Sequence, residues 1–545
     1  MSISAFAINT AWMLRCRSEW HRFVSDTKHV AETQAAYLKN TLRSSQDSKF
    51  GMRHDFASID SAQAYQQRVP LMNESELDVA VTAISAGAKS VLTREPVLLL
   101  QPTSGSTRAT KWIPYTNSLR NEYQRMVASW IGNLFWEVPE IRRGLAYWSI
   151  SPAGLTKQST SSGIPIGFAD DTEYLGLVEQ WLARRVLALP SSIARESDIN
   201  CFRYLTLLYL LRARELSLIS IWSPTFLSAL LDQLPTQSES LLRDIHNGTG
   251  CCSRAVDIHP ALRVPNPQRA KQLSNIFSKT DSTESIYERV WPKLALISCW
   301  MDGSSSGFAS RLQSQMAGVR FQAKGLLATE ACVSFPVVGQ DGCALAIRSH
   351  FFEFFPYSQT DDQVYLANQL SIGQQYTVVV TTGGGLYRYP LHDIVEVTGK
   401  LNQCPLLRFV GRSNQTTDLV GEKLQESFVQ NCIDRTLAER NITPSFAMLL
   451  AISQDLTIKG GNSVSHYRLQ IESDCASVEC QRLGLDLDAR LKDNIHYKVA
   501  RELGQLGPVE VDPLPGPAGT AWTEYEKKQA IKGQVLGTVK PKSLA

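Results

Sequence analysis

Three segments of this 545-residue chain carry side chains suited to holding a nucleotide and a metal. In Thr103-Ser104-Gly105-Ser106-Thr107-Arg108-Ala109-Thr110-Lys111, small hydroxyl residues and one glycine let the backbone close around an anion. Its N–H groups and hydroxyls can then donate to phosphate oxygens. The spacing is not that of a Walker loop, which needs Gly-x-x-x-x-Gly-Lys-Ser/Thr. In Leu326-Leu327-Ala328-Thr329-Glu330, a carboxylate after a strand and a hydroxyl suits a magnesium ion that bridges phosphates. In Thr381-Thr382-Gly383-Gly384-Gly385-Leu386-Tyr387-Arg388-Tyr389-Pro390-Leu391-His392-Asp393, three consecutive glycines call for a backbone bend or a close approach. Asp393 offers two acceptors, the chemistry that grips two ribose hydroxyls. Taken singly, each segment has a plain alternative: a solvated Ser/Thr turn, a surface glutamate, an aspartate capping a turn.

The elements that must position these loops can be read from apolar patterning. Residues 1–45 read as helical, with Trp12, Leu14, Trp20, Phe23, Tyr37 and Leu38 as candidate core. Pro96 to Leu100 reads as a strand leading into the first loop, and Thr116 as the cap of a helix from Asn117 to Phe135. Phe202 to Leu231 reads as helix, strand and helix, and Leu294 to Trp300 as a buried strand followed by a loop over Asp302 to Gly307. Further strands are expected at Ala344 to Ile347, Tyr376 to Thr382 and Leu406 to Val410. After Arg412 the texture becomes a compact α+β unit. It has a helix from about Glu426, strands near Ala447 to Ile452 and Tyr467 to Glu472, a helix near Ala489 to Leu503, and a loop from Pro513 to Gly519. Apolar strands alternating with helices argue for α/β layers.

Length and composition fit one large domain plus a smaller one. Lys plus Arg exceeds Asp plus Glu by only 3, which gives no bulk-charge case for nucleic acid or an anionic membrane. The 11 cysteines are scattered, with no Cys-x-x-Cys pair, a pattern of reduced thiols in a cytosolic protein. Met1 to Leu14 lacks a basic start and reads as the first turns of a helix rather than a signal. No apolar run reaches membrane-spanning length. The histidines lack metal-ligand spacing, and His350, flanked by Phe351 and Phe352, reads as a core or pocket-wall residue.

In this order, the three segments resemble the motifs of the acyl acid–amido synthetases of plant auxin conjugation, the Gretchen Hagen family, and especially its bacterial members. That family belongs to the adenylate-forming superfamily. Thr103 to Thr107 resembles the first motif, Thr329-Glu330 the end of the second, and Tyr387 to Asp393 the third, Tyr-Arg-x-x-x-Gly-Asp. Gly163 to Gly167, Asp171 to Gly176, Trp222 to Leu227 and His350 to Phe354 are also similar to stretches of bacterial members.

The resemblance implies an α/β fold. It has a large N-terminal adenylation domain over 1–412, with sheets layered on helices and a distorted β-barrel, and a small mobile C-terminal α+β domain over 413–545. It implies ATP and Mg2+, a small-molecule carboxylic acid and an amine or amino acid as substrates, no nucleic acid or membrane partner, a monomer, and a cytoplasmic location. By the same resemblance, Ser104, Gly105, Ser106 and Thr107 face the ATP phosphates, and Gly303 and Ser304 lie against the adenosine. Glu330 holds magnesium, Thr329 a phosphate oxygen, and Asp393 the ribose. Tyr387 lines the nucleotide pocket, and Arg412 sits near the superfamily's hinge. Lys423 resembles a lysine near the nucleotide in the family and Lys540 stands for its catalytic lysine, so the resemblance implies catalytic roles for both. Two departures stand out. His392 replaces the glycine before the aspartate, and the ending Gly533-Gln534-Val535-Leu536-Gly537-Thr538-Val539-Lys540-Pro541 is longer between Gln and Lys than the family's Gly-Gln-x-Lys-x-Pro.

The reaction implied is attack of a carboxylate on the ATP α-phosphate, then attack of an amine on the acyl adenylate. Rival readings are coenzyme A or an alcohol as acceptor, a catalytically dead binding scaffold, and a serine hydrolase with Ser305 in Gly303-Ser304-Ser305-Ser306-Gly307, which fits Gly-x-Ser-x-Gly after a buried strand. The pocket walls are expected within 145–175 and 300–340, where Tyr147, Trp148, Phe168, Tyr174, Phe308 and Phe335 point to an apolar or aromatic acid.

Overall fold

A computed structural model describes the chain except residues 1–2, 104–110, 149–157, 169–175, 191, 194–195, 197, 251–259, 279–285, 358–362, 414–415, 421, 454–463, 474–476, 517–518, 532–538 and 540–541. It divides into two units. The larger comprises Met1–Trp300, Leu312–Leu391 and Val395–Phe409; the smaller comprises Met301–Arg311, His392–Ile394 and Val410–Ala545. A mixed α/β fold with a large N-terminal and a small C-terminal part matches the sequence expectation.

In the larger unit, Leu145–Trp148, Leu216–Ser220, Leu296–Cys299 and Arg320–Ala323 form a parallel sheet in that order. Both Leu216–Ser220 and Leu296–Cys299 are buried throughout, as expected when helices cover both faces. A second, seven-stranded sheet runs Tyr365–Leu366, Phe351–Pro356, Gln375–Thr381, Tyr389–Leu401, Cys404–Arg412, Cys343–Leu345, Ser334–Pro336. A third carries the hairpin Leu99–Pro102 and Trp112–Tyr115, with Gln158–Ser159 and Pro165–Ile166 beyond it.

The helix Asn117–Glu137 packs along Ile3–Asp26. It starts where expected, because the Thr116 side chain accepts the Leu119 N–H at 3.2 Å and satisfies a donor that the first turn leaves open. One candidate core residue fails: Leu14 is 54% exposed on the outer side of its helix, whereas Trp12 and Phe23 are buried.

The smaller unit holds Phe446–Ile452 antiparallel to His466–Glu472, which pairs in parallel with Glu510–Pro513. A parallel pair needs a crossover. Here it contains two helices, Ser477–Leu491 and Ile495–Glu502, and not the single helix expected near 489–503. Asn494 makes the break, its side chain accepting the His496 and Tyr497 N–H groups to start the second helix. The expected loop over Asp302 to Gly307 is also helical: a 3-10 turn at Gly303–Ser305 runs into the helix Ser306–Gln315. The strand expected from Pro96 begins only at Leu99, since Pro96 has no N–H to give a ladder. The described cysteines are all unbonded and buried. Among the described residues, no helix is long and apolar enough to cross a membrane.

Candidate active site

In the larger unit the motif segments converge on the first two turns of the Asn117–Glu137 helix. The first loop hangs from the hairpin, closed where the Thr103 N–H meets the Lys111 carbonyl at 2.8 Å. Ser104, Gly105, Ser106 and Thr107 themselves lie outside the described residues. At the end of the hairpin, Tyr115 donates its hydroxyl to the Thr329 carbonyl at 2.8 Å. Tyr123, two turns along the helix, donates to the same carbonyl at 3.2 Å and also to that of Ala328.

Thr329 and Glu330 therefore do not follow directly on a strand, as expected. They occupy the tip of a tight turn closed by the Ala328 N–H to the Ala331 carbonyl, with Leu327 bridging Cys332. Both side chains are partly exposed, while Ala331 and Cys332 are buried. The Ala328 and Thr329 carbonyls are taken by tyrosines, and Glu330 stands at the tip of the turn. A carboxylate oxygen is a donor that suits magnesium.

The triple glycine reaches the same helix. Thr116 donates its hydroxyl to the Gly383 carbonyl at 3.0 Å. A Cβ on Gly383 would lie 2.4 Å from Glu122 Oε1, one on Gly384 would lie 3.0 Å from the Pro114 carbonyl, and Gly385 has φ +95°. The run is glycine because the backbone passes against the helix and then turns left-handed.

Glu122 is the knot of this arrangement, 3% exposed. It accepts the Tyr37 hydroxyl at 2.5 Å and the Gly383 N–H at 3.0 and 3.1 Å, and His350 Nδ1 lies 3.1 Å from its Oε2. His350 Nε2 in turn accepts the Cys332 N–H at 3.1 Å, so its proton sits on Nδ1, facing the carboxylate. Burial, with Glu122 alongside, pushes the Tyr37 phenol well above its usual range, so it remains a donor. One carboxylate thus couples the glycine turn, the first helices and the segment just after Glu330. Sequence reasoning missed Glu122 and placed His350 correctly in the core.

Tyr387 is a different matter. It is fully buried, stacked on Phe50 at 4.8 Å and edge-on to Phe56 at 5.0 Å, with its hydroxyl on the Leu92 carbonyl at 2.9 Å. Its side chain is core and lines no open pocket. Arg388 beside it is equally enclosed. Its Nε meets both Glu353 oxygens at 3.0–3.1 Å, and its Nη1 donates to the carbonyls of Gln66 and Val69.

In the smaller unit, Arg412 Nε lies 3.4 Å from Asp393 Oδ1, with the aspartate side chain 9% and the arginine 33% exposed. His392, where the family motif has glycine, has φ +61°, so the turn keeps the left-handed conformation that glycine would take freely. The His392 carbonyl accepts the Ser413 N–H at 2.8 Å, which pins the turn next to Arg412. Lys423 is exposed, also at positive φ (+47°). The loop before it is anchored by buried Glu422, which accepts the Leu419 and Val420 N–H groups and the Tyr467 hydroxyl. Gly303 opens the 3-10 turn at φ +56°, and the following Phe308 packs on Trp522 at 5.7 Å. Lys540 lies outside the described residues; its neighbour Val539 is buried with Trp522 and Tyr525.

The serine-hydrolase reading fails on this geometry. Ser305 sits inside the 3-10 turn, 4% exposed, and no imidazole hydrogen-bonds to it among the described residues. A nucleophile elbow needs an exposed hydroxyl paired to a base.

Known families give the same answer. The GH3 family N-terminal domain matches residues 19–321, its central domain 343–412 and its C-terminal domain 427–545. The chain belongs to the GH3 family. GH3 is the Gretchen Hagen family that the three motifs pointed to. As a member, the protein is an adenylate-forming amido synthetase, a ligase that activates a carboxylic acid and joins it to an amine.

The indole-3-acetic acid-amido synthetase GH3.10 of Arabidopsis thaliana is 24% identical, over 89% of this chain and 88% of that protein. The jasmonoyl-L-amino acid synthetase JAR6 of Nicotiana attenuata is 23% identical, over 75% and 73%. Among solved structures, a GH3.15 acyl acid amido synthetase superposes with a TM-score of 0.82 at 18% identity, covering 96% of this chain and 93% of that one, which establishes a shared GH3 fold.

Proposed function

We propose that this GH3 enzyme uses ATP and magnesium to adenylate a small apolar or aromatic carboxylic acid, then transfers the acyl group to the amine of an amino acid. It would act as a monomer in the cytoplasm, with a domain boundary near Arg412. The observation that carries the reading is the convergence of the phosphate-loop hairpin, the Thr329-Glu330 turn and the triple glycine on one helix start, knotted by Glu122.

A carboxylate is a poor electrophile because its leaving group would be oxide. Attack on the α-phosphate converts that oxygen into part of AMP, a good leaving group, and releases pyrophosphate. The step requires the phosphate charge to be offset. Ser104, Gly105, Ser106 and Thr107 would donate to the phosphates and Thr329 to a phosphate oxygen. Glu330 would hold the magnesium, which when bound neutralises and orients the phosphates. On the smaller unit, Asp393 would accept the ribose hydroxyls, Gly303 and Ser304 would lie against the adenosine, and Arg412 would orient Asp393. Lys423 and Lys540 are the candidates to offset charge at the α-phosphate. In the second step the amine attacks the acyl carbon and AMP leaves.

The test is ATP–pyrophosphate exchange across a panel of acids, followed by product analysis with amino acids alone and with coenzyme A alone. Exchange with an aromatic or apolar acid and amide formation with an amino acid are expected. Exchange with no acid would reject the reading, and a thioester formed in place of an amide would reject the acceptor.

A further inference from the structure

The carboxyl ends of a parallel sheet are where open α/β sheets place their ligands. In the larger unit four tryptophans and one lysine gather there. Trp148 ends the first strand; Trp222 and Trp300 follow the second and third, their rings 5.7 Å apart. Lys324 follows the fourth, its N–H on the Cys299 carbonyl at 2.9 Å. Trp130, from the Asn117–Glu137 helix, lies 6.0 Å from Trp148 and fixes its indole by donating to Gln322 at 3.1 Å.

The Lys324 ammonium is enclosed by this group. Nζ donates to buried Ser220 Oγ at 2.8 Å and sits 4.8 Å from the Trp222 ring centre and 5.4 Å from that of Trp130. No carboxylate pairs with it among the described residues. Indole faces and one hydroxyl only partly replace the water and counter-ion that an ammonium needs. Burial accordingly pushes the Lys324 amine down to about 8. A second polar atom nearby is also unmet: the Trp148 indole N–H is buried without an acceptor among the described residues. Two donors lacking an anion, between flat aromatic walls, describe a receptor for a negatively charged group on a planar molecule. Five residues of chain join Lys324 to Glu330, which puts this receptor close along the backbone to the proposed magnesium ligand.

We propose that Lys324 is the counter-ion of the acid substrate's carboxylate, the one that becomes adenylated. This rests on the ligase reading above and names a substrate-binding residue of its acid site. The lysine orients the carboxylate and offsets its repulsion from the ATP phosphates. Once the carboxylate oxygen is bonded to the α-phosphate, the acyl carbonyl carries no charge of its own and this attraction at the acyl end weakens.

The experiment compares wild-type protein with K324M and K324R. Benzoate, phenylacetate and indole-3-acetate are used as substrates in pyrophosphate exchange, and the corresponding primary amides as competitive inhibitors. For K324M, the KM for the acid is expected to rise about 10- to 100-fold, the size of a lost charge-assisted hydrogen bond, with the KM for ATP nearly unchanged. The preference of the wild type for acid over its amide should vanish in K324M and persist, weakened, in K324R. Because the substitution removes a half-buried charge with no carboxylate partner among the described residues, K324M should melt at or above the wild-type temperature. An unchanged acid-over-amide preference in K324M would overturn this inference while leaving the ligase intact. Wild-type protein that exchanges with no acid would overturn both.

Discussion

Arg388 and Arg412 each face a carboxylate, Glu353 and Asp393, yet the two pairs are built differently. Arg388 is 7% and Glu353 1% exposed, the guanidinium Nε meets both carboxylate oxygens, and Nη1 donates to two further carbonyls. Arg412 approaches one oxygen of Asp393, at 3.4 Å, and a third of its side chain is exposed. The first pair is closed and ties the chain near Gln66 and Val69 to the seven-stranded sheet. The second is partly exposed, and it is the pair proposed to meet the ribose. Two arginines 24 positions apart, in or beside one motif, thus differ sharply in burial.

The comparison can be broken in several ways. The largest expected effect is from Arg388→Met, which strands Glu353 as a buried unpaired charge and should remove about 3–5 kcal/mol of stability. Chemical denaturation measures it; a variant as stable as wild type would show that the pair is not framework. Next, Asp393→Ala should raise the KM for ATP by roughly 10- to 100-fold, the loss of hydrogen bonds to a charged acceptor, and shift Tm little because its partner is a third exposed and 3.4 Å away. Steady-state kinetics beside a melting curve separates the two effects, and a large fall in Tm with ATP binding intact would reverse the assignment.

Tyr387→Phe sharpens the contrast from the closed side. It removes one hydrogen bond, to the Leu92 carbonyl, for about 1 kcal/mol, and should leave the KM for ATP unchanged. A raised KM would restore Tyr387 to the nucleotide pocket. The smallest effect is expected from His392→Gly. It relieves a left-handed residue next to Asp393, so the variant should gain about 1 kcal/mol or less, offset in part by unfolded-state entropy. If exchange activity instead fell sharply, the imidazole rather than the turn would be what this chain uses there.

Much of this was legible from residues near one another in sequence. Thr116 caps its helix because an N-terminal turn leaves N–H groups open and a hydroxyl one residue ahead reaches them. The triple glycine marked a close approach because only glycine tolerates one, and in the folded chain Glu122 and Pro114 are among the residues that crowd it. Three short motifs in the right order sufficed to place the chain in the GH3 family and to state its reaction. What local pattern could not show was which polar residues would be buried, and with whom. Glu122 meets Tyr37 from 85 positions away and Gly383 from 261. Tyr387 sits in a motif that reads as a ligand contact and is packed into the core. Lys324 looks like any lysine after a strand until another strand of its sheet brings Ser220 and Trp222, and the Asn117–Glu137 helix brings Trp130, around it. Side-chain type and short-range spacing set the chemistry available and the local turns. The desolvation that makes one charge structural and another a receptor depends on neighbours that only the folded chain assembles.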